Sequence, residues 1–191
     1  MGRPRSFNDG AVVSRAMEEF WTHGYAGTSP AQLAEATGIA KGSLYNAFSS
    51  KRAIFDLCLD YYHRQVIETA EYWMAQPGTT RECISAALRA VVDGDLAQPQ
   101  RRGCLIGNTA VELAGEDQEM AEKLRRMQDE STSWFAERIG RGQVEGDVPR
   151  DRDAQALAEH VANTLAGLRV LAMTHEAPAL HRIIDTALAV L

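Results

Sequence analysis

Apolar positions recur every three to four residues along nearly the whole chain, and no run of alternating β-branched residues bounded by turns interrupts them. The pattern predicts an all-α protein. Asn8 or Asp9 is placed to cap a first helix whose inner stripe is Val13, Ala16, Met17 and Phe20 and which stops at Gly24. Thr28 or Ser29, followed by Pro30, opens a second helix through Leu33 and Ala34 that ends at Gly38, and a very short third helix runs from Ala40 to Ala47. Ser49 and Ser50 precede a long fourth helix that carries Ile54, Phe55, Leu57, Cys58, Tyr61 and Tyr62 and reaches Trp73. Gln76, Pro77 and Gly78 break the chain, and Thr79 or Thr80 begins a helix with Ile84, Leu88, Val91 and Val92 facing inward. Residues 94–103 read as a loop, 104–114 and 117–139 as helices parted by Gly115, and 140–149 as an exposed connection rich in Gly and charge. Asp151 or Asp153 starts a helix to His175, and a last helix runs from Ala179 to Leu191.

Composition narrows the class. The chain has 191 residues, 45% hydrophobic and 24% charged, the balance of a folded globular protein. No apolar run of signal-peptide length follows Arg3 and Arg5, and no stretch of about 18 uncharged apolar residues occurs, so a cytoplasmic protein without membrane contact is expected. Three cysteines, Cys58, Cys83 and Cys104, show no paired CxxC spacing and read as reduced thiols, with neither a disulfide framework nor a structural metal site. Charge is unevenly spread: residues 1–52 hold six Lys and Arg against four Asp and Glu, the remainder fourteen against twenty-two. A weakly basic head on an acidic body suits a protein that touches nucleic acid through the head alone.

Residues 28–48 supply the parts of a helix-turn-helix: two short helices, a turn at Gly38, and apolar Ile39 and Leu44 to face Leu33 and Ala34. Lys41, Gly42 and Ser43 fall at the start of the second of these helices, where backbone N–H groups point outward and a lysine reaches guanine or phosphate. Tyr45 and Lys51 flank that surface as phosphate donors, with core packing the other reading of Tyr45 and the plain reading of Phe48.

The run TSPAQLAEATGIAKGSLYNAFSSKRAIF, preceded by AMEEFWTHGYAGTS, resembles the DNA-binding head of the TetR/AcrR family of transcriptional regulators over residues 8–56. The resemblance implies a three-helix head at residues 1–50, and a helical body at 51–191 that binds an effector and dimerises. It further implies DNA contacts from Thr28, Lys41, Gly42, Ser43, Tyr45 and Lys51. Asn46 and Ala47 are smaller than the aromatic or His residues common at those places, and Asn46 is suited instead to adenine. Ahead of the head, Arg3 and Arg5 in MGRPRSF suit a narrow A·T-rich minor groove, or else belong to a solvated tail.

A single head makes few phosphate contacts, so two heads on one palindromic duplex, hence a homodimer, are expected. Leu157, Val161, Thr164, Leu168 and Leu171, with Ile184 and Leu188 on the last helix, resemble the family's four-helix dimer seam, although the same faces would also serve an intramolecular seam. In RRGCLIGNTAVELAGEDQEM, Cys104 lies at a helix start just after Arg101 and Arg102, a setting that favours thiolate. The stretch resembles the R-x-G-C-L element of redox- and electrophile-responsive members, where that Cys is the sensor; the alternative is a small buried hydrophobe. For an ordinary small-molecule effector, Asn108, Glu112, Met127, Trp134, His160 and Asn163 offer polar and apolar walls between the middle helices.

Catalysis has no support in the pattern. His175-Glu176 followed by His181 is not HExxH, and neither a nucleophile elbow nor a phosphate-binding glycine loop occurs, so no catalytic residue, metal or cofactor is expected. The expected function is a homodimeric repressor released from its operator by a ligand or by thiol modification. The competing reading is a DNA binder without such a switch, an activator or nucleoid-like protein.

Overall fold

A computed structural model describes residues 9–191, and among them every regular element is a helix. α1 spans Asp9–Gly27 and is broken at Gly24, whose φ of 75° and ψ of 172° lie outside the helical region. α2 (Pro30–Thr37) is opened by a capping box in which Ser29 and Gln32 satisfy each other's backbone amides, and it ends at Gly38. α3 (Lys41–Phe48) and α4 (Lys51–Met74) come next, with Ser50 capping α4 through the amide of Ala53. These starts and stops lie where the Ser, Pro and Gly pattern put them.

The body holds α5 (Thr80–Ala97), α6 (Leu105–Leu113), α7 (Gln118–Glu145), α8 (Ala154–Leu171) and α9 (Ala177–Ala187), closed by a 3₁₀ turn over Leu188–Val190. Three of the expected boundaries differ, the simplest being that α8 ends at Leu171 rather than His175. α5 runs on to Ala97 rather than opening into a loop at residue 94, because Asp95 and Leu96 pack inward. α7 continues through Gly140 to Glu145, so residues 140–149 are not simply an exposed connection: Val148 is buried and Gly142 lies where a Cβ would run into Thr80 Oγ1 and Asp147 Oδ1. Asp147 in turn accepts from the Thr80 amide at 2.8 Å, which ties the end of α7 to the start of α5.

Two apolar cores result. The first joins α1 to α4 through Phe20, Leu33, Leu44, Phe55 and Leu59, and takes in Leu105 and Ile106 of α6 and Met120, Leu124 and Met127 of α7. Head and body therefore share buried surface. The second lies among α5, α7, α8 and α9 around Leu88, Ile139, Val161, Leu168 and Ile184. No described helix is long and apolar enough to cross a membrane.

Most of the expected dimer seam takes part in this second core. Leu157, Val161, Leu168, Ile184 and Leu188 are buried within one chain, and Thr164 and Leu171 are half-buried. The reason is geometric: α8 is packed by α5, α7 and α9, so its most apolar stripe is consumed inside the protomer. What α8 and its continuation leave outside includes Val170, 65% exposed, and Met173, 46% exposed; on α9, Ile183 is 38% exposed.

Candidate nucleic-acid interface and effector cavity

α3 stands on the head with Leu44 and Phe48 buried against α1, α2 and α4, which turns Lys41, Gly42, Ser43 and Asn46 to the surface. Its N-cap residue, Ala40, offers no side-chain acceptor, so the first amides of α3 are not capped by a side chain from that position. Outward amides beside an exposed lysine form a surface suited to phosphate. Lys51, at the start of α4, sets its ammonium 4.5 Å from the Tyr25 ring centroid, so the GY and SK segments meet in space.

Two of the expected DNA contacts lie elsewhere. Thr28 is wholly buried, and its hydroxyl donates to the Gly24 carbonyl at 2.6 Å, because the break in α1 leaves that carbonyl in need of a donor. Tyr45 is half-buried against the first core, and its buried hydroxyl has no partner; burial, with Tyr25 nearby, pushes its pKa up. Arg3 and Arg5 lie outside the described residues.

Two cavities flank α8. One of about 280 Å³ is bounded by α1, α4, α5, α7 and α8, with Trp21, Tyr62 and Trp73 in its wall. The other, of about 550 Å³, opens between α6, α7 and α8 and is lined by Cys104, Asn108 and Asn163, together with Ile106, Phe135 and Met173. Arg169, Phe135, Leu165, Val66 and Ser131 line both. The walls are largely apolar with a few polar groups, the ordinary make-up of a small-molecule site.

Cys104 is the N-cap of α6, its sulfur accepting from the Gly107 amide at 3.5 Å and from the Tyr62 hydroxyl at 3.8 Å. The two arginines beside it in sequence turn away. Arg101 pairs with Glu176 at 3.0 Å, and Arg102 pairs with Glu18 at 2.7 Å while lying 4.2 Å over the Trp21 ring. The cation that reaches the sulfur's surroundings comes instead from α8. Arg169 donates to the Tyr62 oxygen at 2.7 Å, to both carboxylate oxygens of Asp95 at 2.7 and 2.8 Å, and to the Gly103 carbonyl at 2.9 Å. Guanidinium to phenol to thiol is a continuous donor chain. Burial pushes the Tyr62 pKa up, and the neighbouring sulfur adds to it. Arg169 stays charged: burial works against it, but Tyr62, Asp95 and Cys104 outweigh the loss of water. Sequence reading missed Tyr62, Asp95 and Arg169 as a unit; the available hint was a lone arginine in the otherwise apolar run of residues 165–171 that ends α8.

Four expected effector residues do not line the larger cavity. Glu112 caps the break in α1, accepting from the Tyr25 amide at 2.9 Å and the Ala26 amide at 2.6 Å. Met127 belongs to the first core, and its carbonyl is 3.1 Å from His63 Nε2. Trp134 packs against the second core with its indole nitrogen buried and unpartnered. His160 lies on the surface of α8, 3.2 Å from the Ala187 carbonyl. Among the described residues no three His, Cys, Asp or Glu converge as a metal site.

The family model for bacterial regulatory proteins of the tetR family matches residues 12–58, and that for the tetracyclin repressor-like C-terminal domain matches residues 78–187. An uncharacterised HTH-type transcriptional regulator of Bacillus subtilis, YezE, is 30% identical over 194 residues, the full length of both chains. The HTH-type transcriptional repressor ComR of Escherichia coli is 27% identical, with 90% of this chain and 82% of ComR covered. Among solved structures, a cysteine mutant of the TetR family regulator CifR complexed with a 26-base-pair operator DNA is 33% identical, with a TM-score of 0.88 over 98% of each chain. With a helix-turn-helix head, a helical body and matches that span both, the chain belongs to the TetR family of DNA-binding transcriptional regulators.

Proposed function

We propose that the protein is a homodimeric repressor that covers a palindromic operator through Lys41, Gly42, Ser43, Asn46 and Lys51, with Arg3 and Arg5 in the minor groove, and leaves it when the body is liganded or its thiol is modified. Two relatives support repression by their names, ComR and the repressor DhaR of Mycobacterium sp.. Two similar structures are of CifR cysteine mutants on operator DNA, which supports the DNA partner. A head of this size gains specificity by pairing, and exposed Ile183, with Val170 and Met173, which also line the larger cavity, offers apolar surface to a second copy.

The observation that carries the switch is the placement of Cys104: its sulfur caps α6, lines the 550 Å³ cavity and stands at the end of the Arg169–Tyr62 donor chain. A reagent in that cavity meets the one half-exposed thiol of the chain, since Cys58 and Cys83 are buried. Modification there adds bulk at the start of a helix that borders the head. The effector only has to favour the arrangement of heads that does not fit DNA.

The test uses a duplex selected from a random-sequence library by the reduced protein. Affinity is measured for that duplex and a scrambled one at fixed salt, before and after treatment with hydrogen peroxide or N-ethylmaleimide. Selective loss of binding on treatment, absent in Cys104→Ser, is the expected result. Unchanged affinity of the modified protein overturns the thiol switch and leaves a DNA-binding regulator without it.

A further inference from the structure

Glu112 lies near the C-terminal end of α6, a helix of the body, yet its carboxylate is bonded to the head. α1 is interrupted at Gly24, and the next two amides, of Tyr25 and Ala26, are taken by Glu112 Oε2 at 2.9 Å and Oε1 at 2.6 Å. From the other side the Thr28 hydroxyl holds the Gly24 carbonyl at 2.6 Å, and Ser29 caps α2 directly afterwards. The direction in which α2 and α3 leave α1 is thus set at one break, and one of its two clamps belongs to the body. Space at the break is matched to that clamp, since a Cβ on Gly24 would lie 2.9 Å from Glu112 Oε2.

We infer that Glu112 is a positioning residue for DNA reading: it never meets DNA, but its carboxylate holds the Gly24 break at the angle that presents α3. Past the break, Tyr25 also packs on the Phe55 ring of α4 at 4.9 Å and under the Lys51 ammonium, but the other polar links to α1 from α6 and the segment before it fall short of Gly24. Arg102 binds Glu18 and stacks on Trp21, and the Trp21 indole donates to the Gly103 carbonyl at 3.2 Å, all of them before Gly24. They anchor the stem of α1, so the polar bond from α6 to the break itself is that of Glu112, alongside the packing of α2 and α3 on α1 and α4 in the first core. The same α6 is capped by Cys104, so a helical rise of eight residues, about 12 Å, separates the sulfur in the cavity from the carboxylate on the head.

The experiment uses the full-length protein and the duplex it selects from a random-sequence library. Removing a carboxylate that accepts two amide bonds, Glu112→Ala, is expected to lower affinity for the selected duplex about tenfold, while affinity for a scrambled duplex and its salt dependence stay as in wild type. Glu112→Gln, which keeps one oxygen acceptor, recovers part of the loss. Arg102→Ala stays close to wild type in DNA binding, and hydrogen exchange at the Tyr25 and Ala26 amides rises in Glu112→Ala but not in Arg102→Ala. A purely structural cap would change stability and leave the ratio of selected to scrambled binding untouched, and that outcome overturns the inference. Should Glu112→Ala fail to fold, Glu112→Asp decides: it keeps the charge but withdraws it by one methylene, and wild-type affinity for the selected duplex would sink the idea.

An extension to regulation rests on the thiol reading above. If alkylation at Cys104 reaches DNA through α6, Glu112→Gln narrows the difference in affinity between alkylated and free protein. Alkylated wild type that binds as before removes the thiol reading alone, and the positioning role is then judged on the Glu112→Ala and Glu112→Asp affinities.

Discussion

Ser49 joins α3 to α4 with φ 64° and ψ −43°, a conformation that residues with a Cβ avoid. Glycine adopts it without that conflict, so Ser49→Gly is expected to raise stability by about 1 kcal/mol in urea unfolding, with no gain indicating that the Ser49 hydroxyl bond to the Phe48 carbonyl offsets the strain. Burial gives another residue a pH dependence. The Cys58 thiol, fully buried in the first core, is pushed up to about 12, whereas in an unfolded chain it titrates near about 8.5. The folded state therefore holds this proton more tightly; the stabilisation is complete below the unfolded value and is lost as pH rises through that window. The urea midpoint is expected to fall on alkaline titration, and less steeply in Cys58→Ala. Parallel curves for the two proteins would show that the thiol is not the group responsible.

At the scale of elements, the ion pair between Asp95 of α5 and Arg169 of α8 is the main polar bond inside the body. Both side chains are nearly buried, at 10% and 12% exposure, and the guanidinium also serves Tyr62 and Gly103. Asp95→Ala leaves a buried charge without its partner and is expected to cost about 3–5 kcal/mol by thermal or urea unfolding. Replacing both by apolar residues of similar volume is expected to cost far less, and equal losses for single and double variants would show that packing, not charge, sets the penalty. Legibility at this scale was uneven for a physical reason. Caps are local, so Ser29, Ser50 and Thr79 were readable or nearly so from a few residues of sequence. The ends of α5 and α7 were not, because Asp95 is held inward by an arginine 74 residues away and Gly142 by close approach to Thr80.

For the whole molecule, the predictions concern assembly and DNA. A charge at Val170, which is 65% exposed on the outer stripe of α8, is expected to separate the proposed dimer: Val170→Glu should sediment as a monomer, and wild-type sedimentation would place the interface elsewhere. Lys41→Ala is expected to weaken binding to the selected duplex and relax its specificity. Lys51→Ala should weaken selected and scrambled duplexes alike and reduce the salt slope by about one. Equal losses with an unchanged slope in both would contradict these roles.

The helical class, the order of the elements and the helix-turn-helix of the head were already determined by the sequence, because periodicity, caps and the short-range run from Thr28 to Lys51 act over neighbouring residues. Partners were decided only by the tertiary structure. Arg101 and Arg102 adjoin Cys104 in the chain, yet Glu176 and Glu18 draw them away, and Arg169 arrives from another helix to bond Gly103. Glu112, an isolated acid on a short helix, finds the amides of Tyr25 and Ala26 more than eighty residues earlier. The apolar stripe of α8 carries no mark of whether it faces its own chain or a second copy; the packing of α5, α7 and α9 around it settled that, since burying an apolar face lowers free energy whichever neighbour covers it.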